Sequence, residues 1–320
     1  MLSKSRADAL GEINRIRDKK ASMAIFCTAS HWNTEAILKA ANDFAAQNGI
    51  RNIPIAVAIT CNYRHMSQAG RVTYSKDLKT GFLSIIDYVK RLCDEEDSPY
   101  RNVKVLPHLD HADPEYDNWA LTKGVDCLAS VMFDTQRYLL KDGKEMTREY
   151  VRQYSGRVLV EGVMDELSVL GDIKGQKDDN YVEKAVDYVR STGIDFLVAD
   201  LGTEQQSSSV GKSTYLKQRA ADLTAALGKP MLVLHGTSCL NNEQIAGLAE
   251  DGIIRVNMWT RIARESGQYA AERLLGRARS IFTGDFEAAE SNQYLRDSID
   301  KSSQIMYETL ELLQYKNLAE

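Results

Sequence analysis

Residues 103–112 read VKVLPHLDHA, an apolar run that ends in two imidazoles with a carboxylate between them. Val103, Val105 and Leu106 form a short buried strand, and His108, Asp110 and His111 stand at its carboxyl end. Residues 231–238, MLVLHGTS, repeat the arrangement: an apolar strand, then His235, then a loop of small residues. Two such strands, far apart in the chain, point to a fold in which distant strand ends meet. Imidazole is a good ligand for zinc and similar cations, and a nearby carboxylate suits proton transfer. The residue types therefore suggest a metal held between His111 and His235, with Asp110 as the proton-transfer group.

Further runs of the same kind flank these two. They lie near 23–27 (MAIFC), 53–59 (IPIAVAI), 127–133 (CLASVMF), 158–161 (VLVE), 195–199 (DFLVA) and 253–257 (IIRVN). Helical spacing appears between them at 35–48, 79–94, 180–192, 213–227 and 242–249. Near-continuously apolar strands separated by helices indicate a parallel sheet covered on both faces. Eight such units predict an α/β fold, a (β/α)8 TIM barrel, in preference to an open sheet. No Gly-x-Gly-x-x-Gly follows the first run, which argues against dinucleotide binding. The whole chain, 1–320, reads as a single barrel domain with a C-terminal helical extension over about 283–320. There Leu295, Ile299, Met306, Leu310 and Leu313 share one helical face, suited to capping the barrel or meeting another subunit. The polar stretch 171–180, GDIKGQKDDN, reads as a loop after the fifth strand.

Bulk properties narrow the partners. A net charge of −5 over 320 residues gives no reason to expect nucleic acid or an anionic membrane. No apolar run approaches membrane-spanning length, and the start MLSKSR lacks the apolar segment of a secretory signal. Cys27, Cys61, Cys93, Cys127 and Cys239 are odd in number and scattered, with no C-x-x-C pair. That pattern fits reduced thiols and a cytoplasmic protein. Cys27 and Cys127 lie in strand-like runs and read as small core residues.

In a TIM barrel the active site forms at the carboxyl ends of the strands. That mouth would collect His108, Asp110 and His111, Asp134, Glu161, then Thr203, Glu204 and Gln205, His235, and finally Asn257 and Thr260. A Lewis-acid metal at such a mouth stabilises negative charge developing on a substrate by several kcal/mol. A lysine Schiff base serves the same end. No lysine stands at a strand's carboxyl end, since Lys104 begins the third strand and Lys229 precedes the seventh. The metal route is therefore the expectation.

These residues give the chain a resemblance to the class II fructose-bisphosphate aldolases, the metal-dependent ketose-bisphosphate aldolases. It runs from Ala24 to about Thr260. The motifs match in order: HLDHA at 108–112, SVMFD at 130–134, LVEG at 159–162, ADLGT at 199–203 with VLHGTS at 233–238, and VNMWT at 256–260. The resemblance implies that Asp110 moves a proton during carbon–carbon bond making and breaking. It implies that His111 and His235 are two of three histidines holding a divalent metal, usually zinc. Gly236 and Ser238 resemble the loop that wraps a substrate phosphate. Asn257 matches a residue that touches the reacting part of the substrate, and Thr260 one that helps bind phosphate. A homodimer or homotetramer is also implied.

The pattern breaks after the sixth strand. The family reads G-T-x-H-G where residues 202–206 read GTEQQ. Gln205 replaces the third histidine and Gln206 a glycine. A carboxylate is a better zinc ligand than an amide oxygen, so Glu204 turning inward is an alternative third ligand to Gln205. Asp134 is a candidate to orient His111 or hold a second ion, and Glu161 has the same two options. Val163 stands where many relatives carry a second glutamate, with Asp165 and Glu166 as nearby acids. Residues 207–212, SSSVGK, form either an anion-binding loop or an ordinary solvated one. Trp259 narrows the pocket, stacks on a substrate ring, or packs between the barrel and its eighth helix. His31 and His65 have no expected role. The expected activity is reversible aldol cleavage of a sugar-like, phosphorylated ketose through a metal-stabilised enediolate, with fructose 1,6-bisphosphate itself disfavoured. The alternatives are a diverged lyase or epimerase, and a catalytically silent sugar-phosphate-binding homologue.

Overall fold

The computed structural model describes residues 1–3, 5–164, 180–204, 215–285, 287 and 293–319. Gln205, Asp165, Glu166, residues 207–212 and all but Asn180 of the 171–180 stretch lie outside the described residues. Eight strands follow one another around a closed barrel, every neighbouring pair parallel. They are β1 Met23–Cys27, β2 Ile53–Ile59, β3 Val103–Ala112, β4 Ser130–Phe133, β5 Leu159–Val163, β6 Phe196–Val198, β7 Leu232–Leu234 and β8 Ile253–Met258. The expected (β/α)8 barrel is therefore the fold. Its physical basis is burial on both faces: every residue of β1, β2, β4 and β8 is buried. Closure comes from β8 pairing with β1, Met23 opposite Arg255 through Phe26 opposite Met258.

The helices of the outer layer are α2 His31–Asn48, α4 Leu78–Cys93, α6 Leu140–Tyr154, α7 Tyr181–Thr192, α8 Lys217–Leu227 and α10 Thr260–Phe282. Short helices α3 Ala69–Val72, α5 Asn118–Thr122 and α9 Asn242–Ala246 fill turns. Three of the longer helices, α1 (Arg6–Asp18), α6 and α10, are not among the helical segments read from the sequence. The buried positions of α6 are Gly143, Thr147, Tyr150, Val151 and Tyr154, too polar and small to show an apolar period. The helix α1 buries only Ala9, Ile13 and Ile16. It plugs the amino-terminal end of the barrel. Arg6 donates to Val158 O (2.8 Å) and pairs with Asp195, and Lys104 reaches Asp8 (2.6 Å). Arg15 donates to the carbonyls of Arg51 and Asn52, both at 2.9 Å.

The strand β3 is longer than the apolar run predicts. It continues to Ala112 because β2 and β4 offer pairing on both sides, Ile59 opposite Leu109 and Phe133 opposite Ala112. The two histidines and Asp110 thus lie within the strand's last turns of the pleat.

The C-terminal helix, Gln293–Leu312, packs against α2 and α10 in the outer layer rather than over the mouth. The chain then returns to the amino-terminal side of β1 and β2. Tyr315, fully buried, accepts a hydrogen bond from Ala24 N–H (2.9 Å) and donates one to Pro54 O (2.9 Å). Removing a buried partner exposes the full desolvation cost of the group left behind, roughly 1–3 kcal/mol. Tyr315→Phe should therefore destabilise the chain by about 2 kcal/mol in urea unfolding. A loss below about 0.5 kcal/mol would show that the C-terminal segment is not locked by this hydroxyl.

A candidate active site at the carboxyl ends of the strands

His111 occupies the register shift near the end of β3, where φ is +48°. This left-handed conformation is unusual for a residue with a Cβ and turns the ring out of the strand's alternation. Its Nδ1 lies 2.8 Å from Asp134 Oδ2, at the end of β4. Asp134 also accepts from Gln136 N (3.0 Å) and Gln136 Nε2 (2.9 Å). A carboxylate that only accepts requires the proton on Nδ1, which leaves the Nε2 lone pair for a ligand. Tyr63 stacks on the ring at 4.0 Å between centroids, and His235 meets it edge-on at 5.0 Å.

His235 follows β7 and is tied to both neighbours. Thr203 Oγ1 donates to His235 O (2.7 Å), and Thr237 Oγ1 donates to Asn257 O (2.8 Å). Gly236 has φ +70°, and a Cβ there would stand 2.9 Å from the Glu204 backbone. Only glycine allows this approach of the loop after β7 to the end of β6.

One ligand atom each from Asp110, His111 and His235 lies within 4.8 Å of the others. All three residues are buried. Asp110 Oδ1, His235 Nε2, Ser238 Oγ and Asn257 Nδ2 are buried and have no hydrogen-bond partner among the described residues. Unmet buried polar groups are costly and rare. Four of them around one pocket form a set of donors and acceptors suited to a cation and an oxygen-rich ligand. The pocket is lined further by Cys27, Tyr63, Gly236, Trp259 and Thr260.

The electrostatics separate the three ligand candidates. Burial alone would lower the His111 imidazole, but Asp110 and Asp134 outweigh it and raise it. Burial, with His111 adjacent, pushes His235 down to about 4. Burial works to raise Asp110, yet His111, His235 and His108 hold it below the usual carboxylate range. Asp110 is thus an ionised acceptor, and His235 is a neutral ring with a free lone pair.

Beneath the site lies a charged layer inside the barrel. Arg255 and Glu161 are both fully buried and pair with each other. Arg255 also donates to Ser130 Oγ (3.1 Å), which lies 2.8 Å from His108 Nδ1. His108 Nε2 is 3.9 Å from Asp110 Oδ1 and 3.7 Å from Glu161 Oε2. Burial, then the Arg255 charge, holds His108 well below the ordinary imidazole value. Glu161 is therefore committed to the interior, where burial raises its carboxyl to about 7 against the pull of Arg255.

The structure brings Asp110, His111, His235, Asn257, Gly236, Ser238 and Thr260 to one pocket and sets Asp134 behind His111. Glu204 lies at the rim, its backbone against Gly236, and its carboxylate is outside the group of three ligand atoms. Cys27 corrects the sequence reading. It is buried, but its Sγ lies 3.2 Å from Asn257 Oδ1 and 3.7 Å from Asp110 Oδ2, so it belongs to the site. Its position as the last residue of β1 was the available signal. Cys127 is only half-buried and sits in a 3-10 turn before β4, not in the strand. Tyr63 gave no signal, since it stands in an irregular segment after β2.

The depressed His235 sets a pH dependence. The folded chain keeps this ring neutral between pH 6.5 and about 4, whereas the unfolded chain takes up a proton there. Stability therefore falls as pH falls through that window. His111, raised in the folded state, works in the opposite sense. In chelator-treated protein, His235→Gln should flatten the acid-side loss by about 1–2 kcal/mol, read from denaturant midpoints at pH 7 and pH 4.5. An unchanged slope would show that His235 is not held neutral.

Residues 8–317 match the family profile described as fructose-bisphosphate aldolase class-II. A 6-phospho-5-dehydro-2-deoxy-D-gluconate aldolase of Shouchella clausii is 29% identical over 187 residues, 58% of this chain and 61% of the relative. A fructose-bisphosphate aldolase of Streptococcus pneumoniae is 28% identical over 200 residues, 59% of this chain and 61% of the relative. The chain thus spans 61% of the length of both relatives. Among solved structures, a fructose-bisphosphate aldolase from Campylobacter jejuni superimposes with a TM-score of 0.77 at 15% identity, covering 98% of this chain and 95% of that one. The YdjI aldolase from Escherichia coli K12 gives 0.68 at 17% identity, with all of both chains covered. At these identities the structural likeness concerns the fold alone. By the profile match over nearly its whole length, the chain belongs to the class II fructose-bisphosphate aldolase family.

Proposed function

We propose that the chain catalyses the reversible aldol cleavage of a sugar-like, phosphorylated ketose, with a divalent ion, zinc, held by His111 and His235. The observation that carries this reading is the buried trio of Asp110, His111 and His235, with Asp110 Oδ1 and His235 Nε2 lacking hydrogen-bond partners among the described residues. The two imidazoles are donors that suit zinc, and Asp110 beside them is left as the base. Glu204, or Gln205 beside it, completes the ligands in this reading. When bound, the ion supplies Lewis-acid stabilisation of the charge that develops next to the substrate carbonyl.

The chain's own residues supply the rest. Asp110, ionised and acceptor-only on Oδ1, takes the proton of the hydroxyl on the far carbon of the scissile bond, the carbon β to the ketone. That oxygen becomes the aldehyde carbonyl, and the electron pair of the broken carbon–carbon bond passes to the carbon next to the ketone. A proton taken up at that carbon completes the ketone product as Asp110 releases the one it accepted, and the reverse direction retraces these transfers. Asn257 Nδ2, unpartnered in the pocket, is a donor to substrate oxygen. Ser238 Oγ and the loop at Gly236 offer donors to a phosphate, with Thr260 at the start of α10 facing the same pocket. Trp259 lines the mouth and restricts what enters. No lysine is among the described pocket-lining residues, which agrees with a route that needs no Schiff base. No helix among the described residues is long and apolar enough to cross a membrane. With all five cysteines free, we place the activity in the cytoplasm.

The test is a cleavage assay on a panel of ketose phosphates that includes fructose 1,6-bisphosphate and 6-phospho-5-dehydro-2-deoxy-D-gluconate. Turnover should be lost with chelator, and Asp110→Asn should lower kcat by roughly 10²–10⁴-fold while substrate still binds. Full turnover in Asp110→Asn would remove the proton-transfer role. Binding of sugar phosphates with no cleavage would favour the silent homologue.

A further inference from the structure

The imidazole of His111 meets three other side chains. Its Nδ1 lies 2.8 Å from Asp134 Oδ2, His235 stands edge-on at 5.0 Å, and the Tyr63 ring lies flat against it, 4.0 Å away at an interplanar angle of 9°. The bond to Asp134 fixes one edge of the ring and leaves it free to tip about the line from Nδ1 to the carboxylate. Tipping matters because the imidazole lone pair lies in the ring plane, so a tilted ring aims Nε2 away from a bound ion. The strand does not set that plane, since His111 sits at the register shift with φ +48°, outside the regular alternation. The parallel face of Tyr63 does. Tyr63 is only half-buried and lines the pocket, so it is not a core side chain that happens to touch a histidine.

Tyr63 stands in an irregular segment, yet that segment is tied down on both flanks. On one flank Asn62 donates from N and from Nδ2 to Asp117 Oδ1, both at 3.0 Å, and from Nδ2 to Tyr116 O at 2.9 Å. The other oxygen of Asp117 accepts from Asp113 N at 2.9 Å, two residues after His111. One buried carboxylate thus ties the segment that carries Tyr63 to the segment that follows His111. On the other flank Thr60 and Gln68 bond reciprocally, Thr60 N to Gln68 Oε1 at 2.9 Å and Gln68 N to Thr60 Oγ1 at 3.0 Å. Between them Met66 N donates to Tyr63 O at 3.1 Å. We propose that Tyr63 is a positioning residue for His111: its ring, anchored by Asp117 through Asn62, sets the plane of the imidazole and so the aim of Nε2. The inference rests on the metal-holding role given to His111 above. Holding the ring before an ion arrives moves the ordering cost from binding to folding, which slows release of the bound ion.

The experiment uses the full chain and two readouts. The first is the rate at which zinc-loaded protein gives up its ion to a chromophoric chelator. Tyr63→Leu should release zinc about 3–10-fold faster than wild type, the range expected for loss of one aromatic stack. Tyr63→Phe keeps the ring and should stay within about twofold of wild type. Asp117→Asn sets an amide N–H against one of its two donor segments, and it should speed release about 3–10-fold although Asp117 does not line this pocket. If Asp117 acts through Tyr63, the double variant Tyr63→Leu/Asp117→Asn should release no faster than Tyr63→Leu alone. The second readout is proton NMR of metal-free protein. The Tyr63 ring current should move the His111 ring protons to high field in wild type and in Tyr63→Phe, and the displacement should vanish in Tyr63→Leu. Unchanged release in Tyr63→Leu, equal acceleration in Tyr63→Phe, or additive effects in the double variant would overturn the proposal. A wild type that binds no ion would remove the metal reading of the site. The ring-proton displacement then decides the positioning of His111 by itself, and its absence from wild type would overturn that too.

Discussion

The site depends on the pairing of β8 with β1. Four residue pairs, from Met23 with Arg255 to Phe26 with Met258, close the sheet on itself. Closure puts Cys27 and Asn257 side by side at the mouth, and it faces both toward Asp110 on β3. It also drives Arg255 into the barrel, where Glu161 and Ser130 accept its hydrogen bonds and the Phe196 ring lies 5.2 Å from the guanidinium. An unpaired charge there would be strongly destabilising, so the interior ion pair constrains the register of β5 and β8 together. The active-site candidates above it inherit that register.

Above this layer the chain accepts local strain to aim its ligands. His111 adopts a left-handed backbone, and Gly236 does so with the Glu204 backbone close by. Asp134 fixes the His111 tautomer, while Thr203 and Thr237 stitch the ends of β6, β7 and β8. The outcome is a set of ligand atoms held in place yet lacking hydrogen-bond partners among the described residues, which is the arrangement of a preorganised site. The α1 plug and the Tyr315 lock sit at the opposite end, so the elements that stabilise the barrel are separated from those that bind.

Much of this was legible in the residues. The eight apolar runs were visible because both faces of each strand are buried, and the strand ends therefore announced themselves as polar residues after apolar ones. Asp110, His111, His235 and Asn257 were found that way. Cys27 ended a strand too, but a cysteine among apolar residues carries no polarity signal, and it was read as core. The helix α6 was hidden by glycine, threonine and tyrosine at its buried positions. Tyr63 and the Arg255–Glu161 pair depend on which side chains meet across the barrel, and no local pattern encodes that.

The central claim is that His111 and His235 hold a divalent ion, and the most direct measurement is metal content. Purified wild type should carry about one zinc or similar ion per chain by inductively coupled plasma mass spectrometry, and His111→Ala should lose it. Wild type that takes up no ion after incubation with zinc, cobalt or manganese, or a His111→Ala variant that retains it, would contradict the account.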